Sequence, residues 1–270
     1  MSDHIVETAG ARLAVTDVGE GEPIVALHAS VADKRIWERC AEMWVGAGYR
    51  VVCYDQRGYG DTEAESNVSF RPVDDLWAVM DDRGFGQAVL VGNSMGGRVA
   101  ADGTLERPER VSSLVLIGTS LSGAPEVEPD DSIKEIVDRY DAAEESEDIA
   151  LLNPIEAHFW LDGPNQPEGR VGGSGRELFL TMNGRALELH DTIGEMLWAD
   201  YSWDRLAEIE VPTLLLVGEY DAGFIMDRSR SVAAAIPNAE MVVIPESAHL
   251  PPLDAPAVLA TMVTEFLTGR

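Results

Sequence analysis

The stretch Val91-Gly92-Asn93-Ser94-Met95-Gly96-Gly97 decides how the rest of the chain is read. The apolar run Ala88-Val89-Leu90-Val91 precedes it, and the alternating segment Arg98-Val99-Ala100-Ala101 follows. A strand, a Gly-x-Ser-x-Gly turn and a helix, in that order, form the setting of a nucleophile elbow. The turn is tight enough to hold its serine in strained backbone, and Gly92 and Gly96 leave room for neighbouring chain. Ser94 is therefore expected to raise its hydroxyl above a strand end, close to the N–H groups that open a helix. An ordinary Gly-rich turn explains the five-residue pattern but not its place between strand and helix.

Outward from this turn, strand and helix patterns alternate. Ile5 to Thr8 and Leu13 to Thr16 flank Ala9-Gly10 as an opening hairpin. Ile24 to Leu27 reads as a short buried strand, Arg35 to Ala47 as a helix, Val51 to Tyr54 as a strand, and Val73 to Met80 as a helix. Leu114 to Ile117 is the strand after the elbow helix. The pattern then changes: residues 121 to 200 hold helical segments, from Ser132 to Ala143, from Ile149 to Trp160, and between Glu177 and Trp198. Pro and Gly gather from Gly163 to Gly175, as in a flexible connection. Alternation resumes with the strand at Pro212 to Val217, the helix at Ile225 to Ile236, the strand at Met241 to Ile244 and the helix at Pro256 to Thr268. The pattern predicts an α/β fold: residues 1–120 and 201–270 build a mostly parallel sheet flanked by helices, and 121–200 form an inserted helical cap.

A serine hydroxyl needs a base to take its proton, and that base needs an orienting group. Asp221 follows the strand ending at Val217, and His249 follows the strand ending at Ile244, so both belong to loops at carboxyl ends of strands. Open α/β sheets place ligands at that edge. Singly, Asp221 reads equally as a helix N-cap and His249 as a loop histidine; together they complete a Ser94, Asp221, His249 set. Glu219 is a rival acid two residues from Asp221, closer to the strand and expected to point elsewhere. The backbone N–H groups of Met95 and Ser30 are the expected donors to a developing oxyanion. His28 is expected to brace its loop rather than move protons. Trp160, Met182, Trp198 and Leu197 are candidate pocket residues from the cap.

The remaining histidines, His4, His158 and His190, share no metal-ligand spacing, and no Cys cluster occurs, so neither metal nor cofactor is expected. The glycines of the elbow lack the Gly-Lys-Ser/Thr of a phosphate loop. Cys40 and Cys53 read as buried free thiols. The apolar runs are too short to span a bilayer, and the Met1-Ser-Asp-His-Ile start carries no signal-peptide pattern, so a cytoplasmic location is expected. With 48 acidic against 20 basic residues, the net charge is −28, and Lys34 and Lys134 are the lysines. That field repels nucleic acid and anionic membranes and disfavours highly anionic substrates, unless a local arginine such as Arg176 or Arg185 overrides it. Two alternative readings account for the acidity: adaptation to a salty interior, or an acidic, GC-biased bacterial proteome in which Arg replaces Lys.

Several of these segments together resemble the α/β-hydrolase superfamily: Leu27-His28-Ala29-Ser30 with Trp37, Tyr54-Asp55-Gln56-Arg57-Gly58-Tyr59-Gly60, Gly92 to Gly97, Pro108 to Val111, Val217 to Asp221, and Ala248-His249. The order Ser, Asp, His is also that of the superfamily. One departure stands out, because the loop that usually reads His-Gly reads His28-Ala29. The resemblance implies a serine hydrolase of small carboxylic esters, close in pattern to small carboxylesterases and 3-oxoadipate enol-lactonases. Enol-lactonase and cofactor-free perhydrolase activity on the same triad are the alternatives within this chemistry, enlarged-cap carbon–carbon hydrolases are a further possibility, and a ligand receptor with this fold is the alternative outside it.

Overall fold

The computed structural model describes residues 2–127, 129–189, 192–199 and 202–269. Its central strands are apolar on both faces because both faces are covered. β1 (Ser2–Thr8) and β2 (Ala11–Val18) form the expected hairpin, turning at Gly10 with φ 73°. The sheet continues through β3 (Glu22–Leu27), β4 (Tyr49–Tyr54), the two-residue β5 (Glu63–Ala64), β6 (Ala88–Asn93), β7 (Val111–Ile117), β8 (Thr213–Gly218) and β9 (Ala239–Ile244). Strand order is β1-β2-β4-β3-β6-β7-β8-β9, with β5 pairing β2. β1, β2 and β5 pair antiparallel, and every pairing from β4 to β9 is parallel. All six residues of β6 and all six of β8 are buried.

Helices α1 (Glu38–Gly46) and α9 (Pro256–Thr268), the latter following the short α8 (Pro251–Asp254), cover one face through Trp44, Leu259 and Val263. α2 (Pro72–Asp82), α3 (Met95–Glu106) and α7 (Gly223–Ala235) cover the other through Leu76, Val99 and Val232. The chain passes from β3 to β4 on one side, then returns to place β6 on the other. The crevice between the loops after β3 and β6 is thus the switch point of the sheet.

Between β7 and β8 lie α4 (Lys134–Glu145), α5 (Ile149–Glu156), a π-helical turn at Ala157–Asp162 and α6 (Gly173–Leu189). Two details differ from the sequence reading. The Gly163 to Gly175 stretch is tied down, because Asp162 accepts from the N–H groups of Gly169 and Val171 and pairs with Arg176 at 2.7 Å. Residues 193–198 are not helical, and Met196 instead makes a parallel bridge to Phe70. Among the described residues, no helix is long and apolar enough to cross a membrane.

Candidate active site

Backbone geometry presents Ser94. Its φ of 51° and ψ of −113° lie in a region L-residues rarely adopt, between the last residue of β6 and the first of α3. Its own N–H donates to the Ile117 carbonyl at 2.8 Å, fastening the turn to β7. The glycines around it are required by contact. A Cβ on Gly92 would stand 2.4 Å from the Gly96 carbonyl oxygen, and one on Gly96 2.2 Å from that of Leu27.

Asp221 and His249 meet as the strand-end reading expects. The carboxylate Oδ2 lies 2.9 Å from His249 Nδ1, and both side chains are almost fully buried. Asp221 Oδ1 meanwhile accepts from the Ala222 N–H at 2.9 Å, but the N-cap of the helix that follows is Ala222 itself, so Asp221 does not cap it. Glu219 points elsewhere, its Oε2 accepting from the Glu246 N–H on the exposed surface.

His249 is held from every side. Asn93 Nδ2 donates to its carbonyl at 3.1 Å and also to that of Ile117, so the residue before Ser94 ties the histidine loop to the elbow. The His249 N–H donates to the Trp160 carbonyl at 3.2 Å, and the Trp160 ring lies 4.7 Å from the imidazole, centroid to centroid. Asp254 takes the Ala248 N–H and pairs with Arg170, which donates to the carbonyls of Leu161 and Asp162. The π-helical turn is therefore locked to the loop it covers. Sequence reasoning missed the roles of Asn93, Arg170 and Asp254; the only local signal was Asn93's place inside the elbow.

The N–H groups of Ser30 and Met95 donate to no acceptor among the described residues, and both residues line one cavity of about 690 Å³. His28 supports the loop before Ser30. Its Nε2 accepts from the Gln56 N–H at 3.0 Å and its Nδ1 donates to the Ala29 carbonyl at 2.8 Å. Burial, only partly offset by that carbonyl and by Asp55, lowers its pKa, so the ring is a neutral strut rather than a proton carrier. Ala29 is fully buried and its φ is not positive, so the departure from His-Gly introduces no backbone strain. The Asp55 and Arg57 segment is architectural: Lys34 pairs with Asp55 at 2.7 Å, and Arg57 with Asp75 at 2.8 Å.

Of the candidate pocket residues, Trp160 and Trp198 line this cavity. Met182 does not: it is wholly buried in the core with Phe179, Leu250 and Leu253, on the face of α6 turned to the sheet. Leu197 lines a separate, smaller cavity with Arg71 and Asp102. Neither arginine considered as an anion anchor serves the site, since Arg176 is paired with Asp162 and Arg185 with Glu188 on the surface. His158 Nε2 donates to the Gln166 carbonyl, a bracing role, and His190 lies outside the described residues.

Comparison with known proteins agrees with this architecture. Residues 22–256 match the family model for the alpha/beta hydrolase fold. The chain is 28% identical over 288 residues to a putative 2-succinyl-6-hydroxy-2,4-cyclohexadiene-1-carboxylate synthase of Bacillus subtilis, covering 98% of each chain. It is 31% identical over 275 residues to a 2-hydroxy-6-oxononadienedioate/2-hydroxy-6-oxononatrienedioate hydrolase of Burkholderia vietnamiensis, covering 95% of this chain and 91% of that one. Among solved structures, a thermophilic esterase from Thermogutta terrifontis superposes with a TM-score of 0.77 at 25% identity, covering 100% of this chain and 99% of the other. The enol-lactonase from Burkholderia xenovorans shares the fold, with a TM-score of 0.72 at 20% identity over 96% and 97% of the two chains. The chain thus belongs to the α/β-hydrolase family.

Proposed function

We propose that the chain is a serine hydrolase of small carboxylic esters or lactones, with Ser94, His249 and Asp221 as its triad. The observation that carries this reading is the buried Asp221–His249 contact of 2.9 Å, tied by Asn93 to the turn that presents Ser94. Ser94 Oγ attacks the substrate carbonyl carbon as His249 Nε2 takes its proton. Asp221 accepts from Nδ1–H, which fixes the tautomer and stabilises the imidazolium. The N–H groups of Ser30 and Met95 receive the negative oxygen of the tetrahedral intermediate. His249 then gives its proton to the leaving alkoxide. The same imidazole next activates water against the acyl-Ser94 ester, releasing the acid and restoring the serine. The helical insertion, residues 121–200, acts as the cap that shapes the pocket.

The two sequence relatives are named for compounds that carry carboxylates, the synthase for its product and the hydrolase for its substrates. The cavity beside Met95 favours the ester and lactone reading over such substrates. Its ionisable lining residues, among the described ones, are Tyr59, Tyr140, Glu144, Glu156 and Glu195. The test is hydrolysis of p-nitrophenyl esters from acetate to decanoate, with Ser94→Ala measured alongside. Turnover that peaks at short chains and falls by about 10⁴ or more in the variant is expected. Near-normal turnover by Ser94→Ala would overturn the mechanism.

A further inference from the structure

One buried carboxylate is partnered unlike the others. Asp33 is bonded to Arg35, Asp55 to Lys34, Asp75 to Arg57, Asp162 to Arg176, Asp254 to Arg170 and Asp221 to His249, while Asp102 lies in the field of Arg98. Glu156, at the end of α5, has no basic partner among the described residues, although it is only 4% exposed. Its Oε1 accepts from the Tyr140 hydroxyl at 2.8 Å, and its Oε2 accepts from Asn183 Nδ2. Both oxygens thus face donors, which is the arrangement an ionised carboxylate takes. Asn183 is itself aligned, because the same amide donates to Asn153 Oδ1. Three helices of the insertion therefore hold a negative charge in place without neutralising it.

This charge lines the cavity that also contains Ser30, Met95 and Trp160. Glu144 and Glu195, both exposed, add to it, and no Arg, Lys or His among the described residues lines the space. Burying an unpaired carboxylate is costly, and folds ordinarily supply a cation or leave the group in water. Here the missing countercharge faces a cavity that Ser30 and Met95, the proposed oxyanion donors, also line. Burial accordingly pushes the Glu156 carboxyl up, against the hydrogen bonds of Asn183 and Tyr140 and with the help of Glu144. A bound cation would reverse that strain.

We propose that Glu156 selects substrate by charge: the cavity takes small esters or lactones whose non-reacting end carries a cationic ammonium-type group, and it rejects those that carry a carboxylate. This rests on the hydrolase reading above. Glu156 is a specificity-determining residue in it and takes no part in bond making.

Three near-isosteric thioesters test the proposal: acetylthiocholine, S-(3,3-dimethylbutyl) thioacetate and S-acetyl-3-mercaptopropionate. A second set carries the charge on the acyl side. Thiol release is followed in 1 M KCl, where the screening length of about 3 Å suppresses the general field of the surface but not a buried contact. We expect kcat/KM for a cationic substrate to exceed that of its neutral isostere by about tenfold or more, and the anionic one to fall below it by a similar factor. Glu156→Gln should bring the three within about threefold of one another, whatever it does to their common level. A purely structural role would lower all three together. Equal turnover of the three by the unaltered protein overturns the proposal whether or not the variant folds, and so does an unchanged ratio in a folded variant.

If p-nitrophenyl acetate and every thioester are left intact, the hydrolase reading fails on its own account. The charge preference is then read by calorimetry with choline and 3,3-dimethylbutan-1-ol. Tighter binding of choline, lost in Glu156→Gln, supports it; equal binding, or none of either, overturns it.

Discussion

The sheet edge and the helical insertion above it are assembled from different materials. At the edge, backbone meets backbone: Gly96 packs on the Leu27 carbonyl, Gly218 on the carbonyls of Ser247 and Ala248, and the Ser94 N–H is fastened to Ile117. In the insertion, side chains meet side chains across three helices, as in the set Tyr140, Glu156, Asn183 and Asn153. Main-chain contacts leave almost no choice of residue or position. Side-chain contacts between helices can be exchanged one at a time. On the proposed function, the reaction chemistry thus falls in the least adjustable part of the molecule and the recognition of substrate in the most adjustable part. The largest effects of substitution should fall at the edge, with effects on selectivity in the insertion.

Asp221→Asn makes the sharpest test. An amide keeps the shape of the carboxylate but can stabilise neither the Nδ1–H tautomer nor the imidazolium. A loss of about 10⁴ in kcat is expected, with a melting temperature within a few degrees of the parent. A loss of less than about 100-fold would remove Asp221 from the role given to it.

Gly96→Ala and Gly184→Ala set the two regions side by side, since both glycines lie in helices. In an ordinary exposed helix the change gains roughly 1 kcal/mol. At Gly96 the new methyl would stand 2.2 Å from the Leu27 carbonyl oxygen, a backbone atom that cannot step aside without moving β3. We expect destabilisation of about 3 kcal/mol or more there, seen as a fall of roughly 6 to 12 °C in melting temperature. At Gly184 the methyl meets the Asn153 side-chain amide at 3.0 Å, which can shift. The net change there should stay within about 1 kcal/mol. Equal losses at the two sites would undo the distinction between them.

The same distinction explains what could be read from the chain alone. The strand-end positions of Ser94, Asp221 and His249 were legible because each lies within five residues of the end of a strand, and a strand's carboxyl end is fixed by its own residues. The hairpin at Ala9-Gly10 and the closing helix from Pro256 to Thr268 were legible for the same local reason. Met182 was misassigned because the face of α6 that turns to the core depends on what it packs against, and Phe179 shares that face one turn away. The pinning of the Gly163 to Gly175 stretch was invisible, because Asp162 does it from before the stretch with Arg176 from after it. Glu156 carried no signal of any kind. Its partners lie 16 and 27 residues away, and a glutamate normally faces water even at the end of an apolar helix such as α5.

Trp160 stands where the two regions touch. Its carbonyl holds the His249 N–H, while its ring covers the imidazole and lines the cavity. Trp160→Leu keeps the carbonyl contact and removes the ring, separating the two contributions. An aromatic face against an imidazolium contributes about 0.5 to 2 kcal/mol, so kcat should fall by roughly tenfold. Stability should change little, because the ring is only half-buried. An unchanged kcat would reduce Trp160 to a wall of the pocket.

The smallest effect should come from Glu219→Gln, which is informative because the residue lies two positions from Asp221 in the same loop. Glu219 accepts from the N–H of Glu246, a residue at φ 56° on the outer side of the histidine loop. A glutamine oxygen can accept that bond equally well, so the turn keeps its partner. The site is solvent-exposed, so loss of one charge among 48 acidic residues should cost less than about 0.5 kcal/mol. Activity within twofold of the parent is expected, against about 10⁴ for Asp221→Asn. Two carboxylates in one tight turn would then differ by nearly four orders of magnitude, for a reason contained in the backbone: β8 ends at Gly218, and only the residue three positions on is carried inward to His249. A substantial loss in Glu219→Gln would mean that the outer side of the turn also positions the histidine, and the sheet edge would have to be extended to include it.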